Sequence, residues 1–172
     1  FETVKEFTDS TFYDISTWVL PMSFNIHYTC INIPKEMEGI TGAEVINAPV
    51  LNGKLVGPKD AYAYLFEWNE YYTPKALFIL QNSGLITRVA TDKFISSIGA
   101  DKKEFSFGTI MVPAYGQSLT RDEIYKLMET VATDCGITVY GVTTGLTPQG
   151  IDLGSNSFSI LQKPSVLMVT GD

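Results

Sequence analysis

The sequence predicts a three-layer α/β domain with a partly parallel, mixed sheet and helices on its faces. Short apolar runs typical of buried strands alternate with segments whose apolar residues recur at helical spacing, in the order strand, helix, strand, strand, helix, strand. Glycine, proline and asparagine separate these segments. The 172 residues are 45% hydrophobic and 18% charged, a composition typical of a folded domain rather than of a disordered chain.

The first third of the chain predicts a lead to this domain. Apolar residues recur at three- and four-residue spacing from Asp9 to Met22, which predicts a short amphipathic helix. The pattern then changes to short β-like pieces between Asn25 and Val56. We expect residues 1–57 to form a short helix and a small β lead, and residues 58–172 to form the α/β domain as one compact unit. Both ends are expected to be cut from a longer polypeptide.

The first half of the α/β domain predicts strands around one helix. Three apolar runs are suited to buried strands: Ala61–Trp68, Leu85–Ala90 and Phe105–Pro113. Thr73 is expected to be the N-cap of a helix, with Pro74 at its first position and Asn82-Ser83-Gly84 at its end. The segment Gly99–Glu104 is expected to be a polar turn between the last two strands.

The second half predicts a longer helix followed by further strands. Ser118 or Thr120 can cap a helix that ends at Cys135, with Gly136 as its stop. Its apolar stripe is expected to pack in the core: Ile124, Leu127, Met128, Val131 and Ala132. Three further strands are predicted: Ile137–Val142, Phe158–Gln162 and Val166–Val169.

The charge of the chain argues against some classes of partner. Its 12 basic and 19 acidic residues give a net charge of −7, and its longest basic cluster is the Lys102-Lys103 pair. Binding to nucleic acid or to an anionic membrane surface is therefore disfavoured. No apolar run approaches the roughly 18 to 20 residues that span a bilayer, so we expect no membrane insertion.

No set of residues in the sequence matches a catalytic or metal centre. The single histidine, His27, lies on a predicted strand and is interpreted as a structural imidazole, and no zinc-ligand spacing surrounds it. We assign no catalytic residue, no metal ligand and no cofactor to this chain. A hydrolase that uses Cys135 as nucleophile is a minor alternative, and pairing of Cys30 with Cys135 is left open.

One polar loop is the best candidate for contact with a ligand. The glycine-, threonine- and serine-rich loop 143–157 follows the predicted strand that ends at Val142, and loops after parallel strands often line ligand crevices. The candidate ligand-binding residues are Thr143, Thr144, Asp152, Ser155 and Asn156. The alternative interpretation is a plain surface connection.

The string FTDSTFYDISTWVLP, from Phe7 to Pro21, resembles a segment downstream of the peptidase domain in large bacterial zinc carboxypeptidase-like proteins. In those proteins the pattern DS-x-x-YD-x-(S/T)-x-W-x-LP is typical. The segments Gly108–Pro113 and Lys163–Gly171 look like the continuation of the same family, the second leading into a class I amidotransferase-like α/β region. The resemblance touches most of the chain, and its first motif is the distinctive one.

The resemblance implies a parent hydrolase, a metallopeptidase that removes C-terminal residues from peptides. Its zinc, held by histidine and glutamate, would lie in an upstream domain, and none of those ligands matches a position here. The chain is then expected to be a non-catalytic accessory domain whose partners are neighbouring domains of the same polypeptide. The implied location is the bacterial periplasm or exterior. A homodimer through the exposed interdomain surface, and a ligand- or glycan-binding module that uses loop 143–157, are left open.

Overall fold

The computed structural model of this chain describes residues 52–168 and, before them, positions 21, 27–29, 42–44, 46–47 and 50. The chain divides into two compact units, Phe1–Val45 and Ile46–Asp172, and the elements below belong to the second. The predicted helix from Asp9 to Met22 and most of the predicted β lead lie outside the described residues. His27 is described, and it is exposed and has no regular secondary structure, so its placement on a strand was wrong.

Nine strands and two helices follow one another in the range 52–168. In chain order they are β1 (Lys54–Val56), β2 (Ala63–Phe66), α1 (Thr73–Asn82), β3 (Thr87–Ala90), β4 (Phe94–Ile98), β5 (Asp101–Phe105), β6 (Ile110–Pro113), α2 (Arg121–Cys135), β7 (Thr138–Val142), β8 (Gln149–Gly150) and β9 (Phe158–Leu161). Neither helix, nor any other helix among the described residues, is long and apolar enough to cross a membrane.

Six of these strands form the main sheet, in the order β1-β7-β2-β6-β3-β9. β1 pairs parallel with β7, and the other four pairings are antiparallel. The first strand of the sheet therefore lies before residue 58, where the α/β domain was expected to begin. The mixed sheet with its helices confirms the predicted α/β class.

Both faces of the main sheet are covered, which gives three layers. Alternate residues of β2 point to opposite faces: Tyr64 and Phe66 pack with the buried side chains of both helices, whereas Leu65 packs with buried side chains from the other side. That other side is a second sheet, in the order β5-β4-β8. The two described helices thus share one face, and a small sheet covers the other.

Helix α2 forms as the sequence predicts. Thr120 caps it, and a capping box is complete, because the Glu123 carboxylate accepts the Thr120 backbone N–H at 2.8 Å while the Thr120 hydroxyl accepts the Glu123 N–H. Gly136 ends the helix with a left-handed φ of 61°. The predicted stripe faces the sheet, with Leu127 only partly buried.

The start of helix α1 differs from the prediction. Its N-cap is Tyr72, which makes no side-chain cap hydrogen bond, and Pro74 lies in the first turn. Thr73 is fully buried, and its hydroxyl donates to the Glu67 carbonyl at 3.0 Å. Thr73 is therefore the first helical residue rather than the cap, because its side chain closes the preceding turn instead.

One predicted turn and two predicted strands differ from the structure. The segment Gly99–Glu104, expected to be a polar turn, is mostly strand β5, and the run Phe105–Pro113 is interrupted by a turn at residues 106–109. β5 lacks the apolar pattern that predicts a buried strand, because it is an edge strand whose polar side chains mostly face solvent. The predicted strand Val166–Val169 is irregular over residues 166–168, which pair with no strand of the described range.

Phe94 is the side chain on which the contact between the two sheets depends. Its ring stacks on Phe105 at 5.1 Å between centroids and meets Phe158 edge-on at 5.3 Å. We predict that Phe94→Ala lowers the free energy of unfolding by about 3 to 5 kcal/mol, because it leaves a cavity between the sheets. Phe107→Ala is the control, since that ring is 58% exposed. Equal losses in chemical denaturation for the two variants would contradict the packing described.

Candidate functional site

A cleft of about 300 Å³ opens at one end of the central strands of the main sheet. At this end β6 and β7 finish and β2 begins, since Ala63 pairs with both Pro113 and Val142. β3 begins beside them, with Arg88 opposite Met111. The cleft therefore lies where loops from four strands meet, on the face of the main sheet that the second sheet partly covers.

The wall of the cleft is apolar and its rim is aromatic. The apolar wall comes from three segments that are distant in sequence: Ile86, then Met111 and Pro113 of β6, and Leu153. Tyr62 and Tyr115 form the rim, with ring centroids 6.2 Å apart and planes tilted by 48°. Their side chains remain 39% and 57% exposed, so both rings present surface to a bound molecule.

Arg121 holds the rim in place. Its guanidinium lies over the Tyr115 ring, with Cζ 4.9 Å from the centroid, a distance at which cation–π attraction operates. One of its terminal nitrogens donates to the backbone carbonyls of Asp60 and Ala61. The first residue of α2 is thereby tied to the segment before β2, from which Tyr62 projects. Its Nε atom is buried and has no hydrogen-bond partner among the described residues.

Arg88 is the charged group that lines the cleft. It projects from β3, is partly buried, and donates one hydrogen bond from Nη1 to the Phe158 carbonyl at 3.0 Å. It forms no ion pair with any carboxylate of the described residues. The guanidinium is thus fixed on one side by a backbone carbonyl and retains further N–H donors.

Gln117 also lines the cleft, but its amide is already used. Its Oε1 accepts the Ile86 N–H at 2.8 Å, and its Nε2 donates to the carbonyls of Ile86 and Pro113 at 3.0 and 2.9 Å. These three bonds hold the loop after β6 against the segment that leads into β3. Gln117 therefore shapes the cleft instead of offering free polar atoms to a ligand.

The loop 143–157 forms one side of the cleft through close backbone approach. A Cβ added at Gly145 would lie 2.8 Å from a Tyr62 ring atom, so the absence of a side chain lets the ring rest on the loop. The Leu153 N–H donates to the Gly145 carbonyl at 2.9 Å. Leu153 and Gly154 are carried in this way to the cleft wall.

Two of the five polar residues predicted to bind a ligand, Asp152 and Thr144, brace this loop with their side chains. Asp152 Oδ1 accepts the Thr147 N–H at 2.8 Å and the Thr147 hydroxyl at 3.2 Å. The Asp152 carbonyl accepts the Ser155 N–H at 2.9 Å, and Thr144 Oγ1 accepts the Leu146 N–H at 3.1 Å.

The remaining candidates are Thr143 and Asn156, which are exposed. None of the five candidates, all of which the structure describes, lines the cleft. Ser155 Oγ is buried and has no hydrogen-bond partner within the described part of the chain.

The residues that define the cleft were not identified from the sequence. Tyr62, Arg88 and Tyr115 lie in three segments that the topology brings together, and no short motif contains them. One signal was available, because the chain has only two arginines, Arg88 and Arg121. One lines the cleft and the other stacks on its rim.

Polar groups at the other end of the central strands, away from the cleft, are paired within the fold. Glu67 forms an ion pair with Lys103 at 2.8 Å, and Lys103 also lies over the Phe105 and Tyr140 rings. Both carboxylate oxygens of Glu70 accept the Thr138 N–H. Burial raises the pKa of Glu70 above its ordinary value. This cluster joins β2, β5 and β7.

Two other kinds of centre receive no support from the described residues. Cys135 is a free thiol in the core, 1% exposed, and burial raises its pKa, which disfavours the thiolate that a nucleophile requires. Within the described ranges no three His, Cys, Asp or Glu side chains are grouped so as to hold a metal ion.

No protein-family model, curated protein or solved structure matches this chain.

Gly150 anchors the loop that forms one side of the cleft. It pairs with Phe94 in the second sheet at a φ of +90°, and a Cβ there would lie 2.5 Å from the Lys93 carbonyl oxygen. We predict that Gly150→Ala lowers the free energy of unfolding by about 2 kcal/mol or more, from strain and backbone overlap. Gly154→Ala is the control, because its Cβ would meet nothing within 4 Å. Indistinguishable denaturation midpoints for the two variants would refute the anchoring role.

Proposed function

We propose that this chain is a non-catalytic binding module, and that it serves as an accessory domain of a zinc carboxypeptidase-like protein. The binding role is supported by the cleft, in which an apolar wall, two exposed tyrosine rings and a partly buried guanidinium converge. A concave, largely apolar site with a few placed polar groups is the usual form of a small-molecule site.

The size of the cleft favours a small occupant. Its volume of about 300 Å³ lies at the lower end of the range for ligand sites. Such a volume suits a molecule with one ring and its substituents. Tyr62 and Tyr115 offer ring faces against which a sugar or an aromatic ring can lie. The proposed ligands therefore include the terminal sugar of a glycan.

The chemistry of the lining supports binding over catalysis. The titratable side chains that line the cleft are Tyr62, Arg88 and Tyr115. Acid–base and nucleophilic catalysis mostly use histidine, carboxylate, cysteine, lysine or an activated serine, and none of these is among the lining residues, all of which lie in the described range.

The accessory role is supported by the resemblance of the segment Phe7–Pro21 and by an exposed aromatic surface. This surface lies at the other end of the central strands, away from the cleft. It comprises Trp68, Tyr71 and Phe107, which are 45%, 67% and 58% exposed. Grouped exposed aromatic side chains are typical of surfaces that another domain covers. We propose that a neighbouring domain of the same polypeptide covers it, in the periplasm or outside the cell, and that zinc belongs to the upstream peptidase domain.

The binding role predicts that the rim tyrosines determine affinity. A panel of one-ring sugars and aryl compounds, titrated into the isotopically labelled chain, is expected to shift NMR resonances of Ile86, Arg88 and Leu153. Tyr62→Ala and Tyr115→Ala should weaken the tightest binder at least about fivefold, since a stacked ring contributes about 1 kcal/mol or more. Tyr71→Ala, which removes an exposed ring at the end of the strands away from the cleft, is the control. Shifts confined to other parts of the chain would overturn the proposal.

The accessory role predicts that this chain alone does not act on peptides. Incubated with peptides that have a free C-terminus, it is expected to release no C-terminal residue and to bind no stoichiometric zinc. The full-length parent, assayed beside it, supplies the positive control. Release of C-terminal residues by this chain alone, abolished by a chelator, would show that the active site is here.

A further inference from the structure

We propose that the cleft selects a ligand that carries a carboxylate on a single ring, with Arg88 as the residue that receives the carboxylate. This inference rests on the proposed binding function and adds the chemical class of the ligand. Positive charge is scarce in this acidic chain. The net charge is −7, and 10 of the 12 basic residues are lysines, yet it is an arginine that lines the cleft.

Arg88 has N–H donors that the described part of the fold does not use. A guanidinium has five N–H donors in one plane, and among the residues that the structure describes Arg88 forms one hydrogen bond, from Nη1 to the Phe158 carbonyl. No carboxylate of the described residues pairs with it. A partly buried charge is normally paired, and a planar carboxylate matches the fork of an arginine through two parallel hydrogen bonds. The geometry therefore favours an anionic group that comes from outside.

The rest of the lining limits the charge and the shape of this ligand. Arg88 is the only Lys, Arg or His among the lining residues, all of them described, so the site balances one negative charge. Arg121 is occupied by two backbone carbonyls and by the Tyr115 ring. Beside Arg88 the wall is apolar, and the tyrosine rim bounds it. A monoanion with a flat or partly apolar ring body fits this arrangement better than a multiply charged phosphate.

The test compares matched pairs of acid and amide in the unmodified chain. Uronic acids and arylacetic acids, each beside its primary amide, are titrated into the labelled chain, and dissociation constants are taken from resonances of the cleft residues. We expect at least one acid to bind about tenfold more tightly than its amide, as a charge-assisted hydrogen bond predicts. The two series identify whether the ring is a sugar or an aromatic group.

Variants then assign the effect to Arg88. Arg88→Gln should abolish the difference between acid and amide, and Arg88→Lys should retain only part of it because the fork is lost. Lys126→Gln is the matched control, since it removes the same charge from the exposed side of α2. Thermal unfolding of each variant separates loss of binding from loss of fold.

The outcomes distinguish this inference from the function on which it rests. Equal affinity for acid and amide at the cleft, or tighter binding of monophosphate esters than of the acids, overturns the carboxylate inference and leaves the binding function in place. An acid preference that survives Arg88→Gln in a folded variant also overturns it. If no compound of either series shifts the cleft resonances, the proposed binding function falls together with the inference.

Discussion

The aromatic contact between the two sheets is the interaction on which the rest of the structure depends. Phe94 stacks on Phe105 and meets Phe158, and Phe105 in turn meets Tyr140 edge-on at 5.6 Å. These rings fix the second sheet against the main sheet, and β4 of the second sheet pairs with β8. Because β8 lies inside the loop 143–157, the wall that Leu153 gives to the cleft is positioned by packing elsewhere between the sheets.

The parts of the fold that the sequence predicted are those whose signal is local. Helix α2 shows its cap, its apolar stripe and its terminal glycine within a span of residues 120–136; the stripe and the glycine were identified, and the cap was narrowed to Ser118 or Thr120. The hairpin of β4 and β5 was missed, since β5 begins with Asp101, Lys102, Lys103 and Glu104 and an exposed edge strand carries no alternating apolar pattern. Thr73 was misplaced because the carbonyl that its hydroxyl contacts lies six residues earlier.

The site was harder to predict than the fold. The sequence identified the loop 143–157 as a candidate, and the structure places Leu153 and Gly154 of that loop at the cleft. Two of the polar side chains singled out there, Thr144 and Asp152, accept backbone N–H groups of the loop itself. Tyr62, Arg88 and Tyr115 converge only through strand pairing between distant segments, and neither spacing nor composition encodes that pairing locally.

The order of strands determines where the chain enters and leaves the main sheet. The chain enters the main sheet at β1, one edge, and leaves it at β9, the other edge. Five inter-strand spacings separate these strands, so the two edges lie about 24 Å apart at the usual distance between neighbouring strands. Many domains bring their ends together and can therefore be inserted into a loop of a host. In this sheet the two points lie at opposite edges, so the strand order does not favour such an insertion.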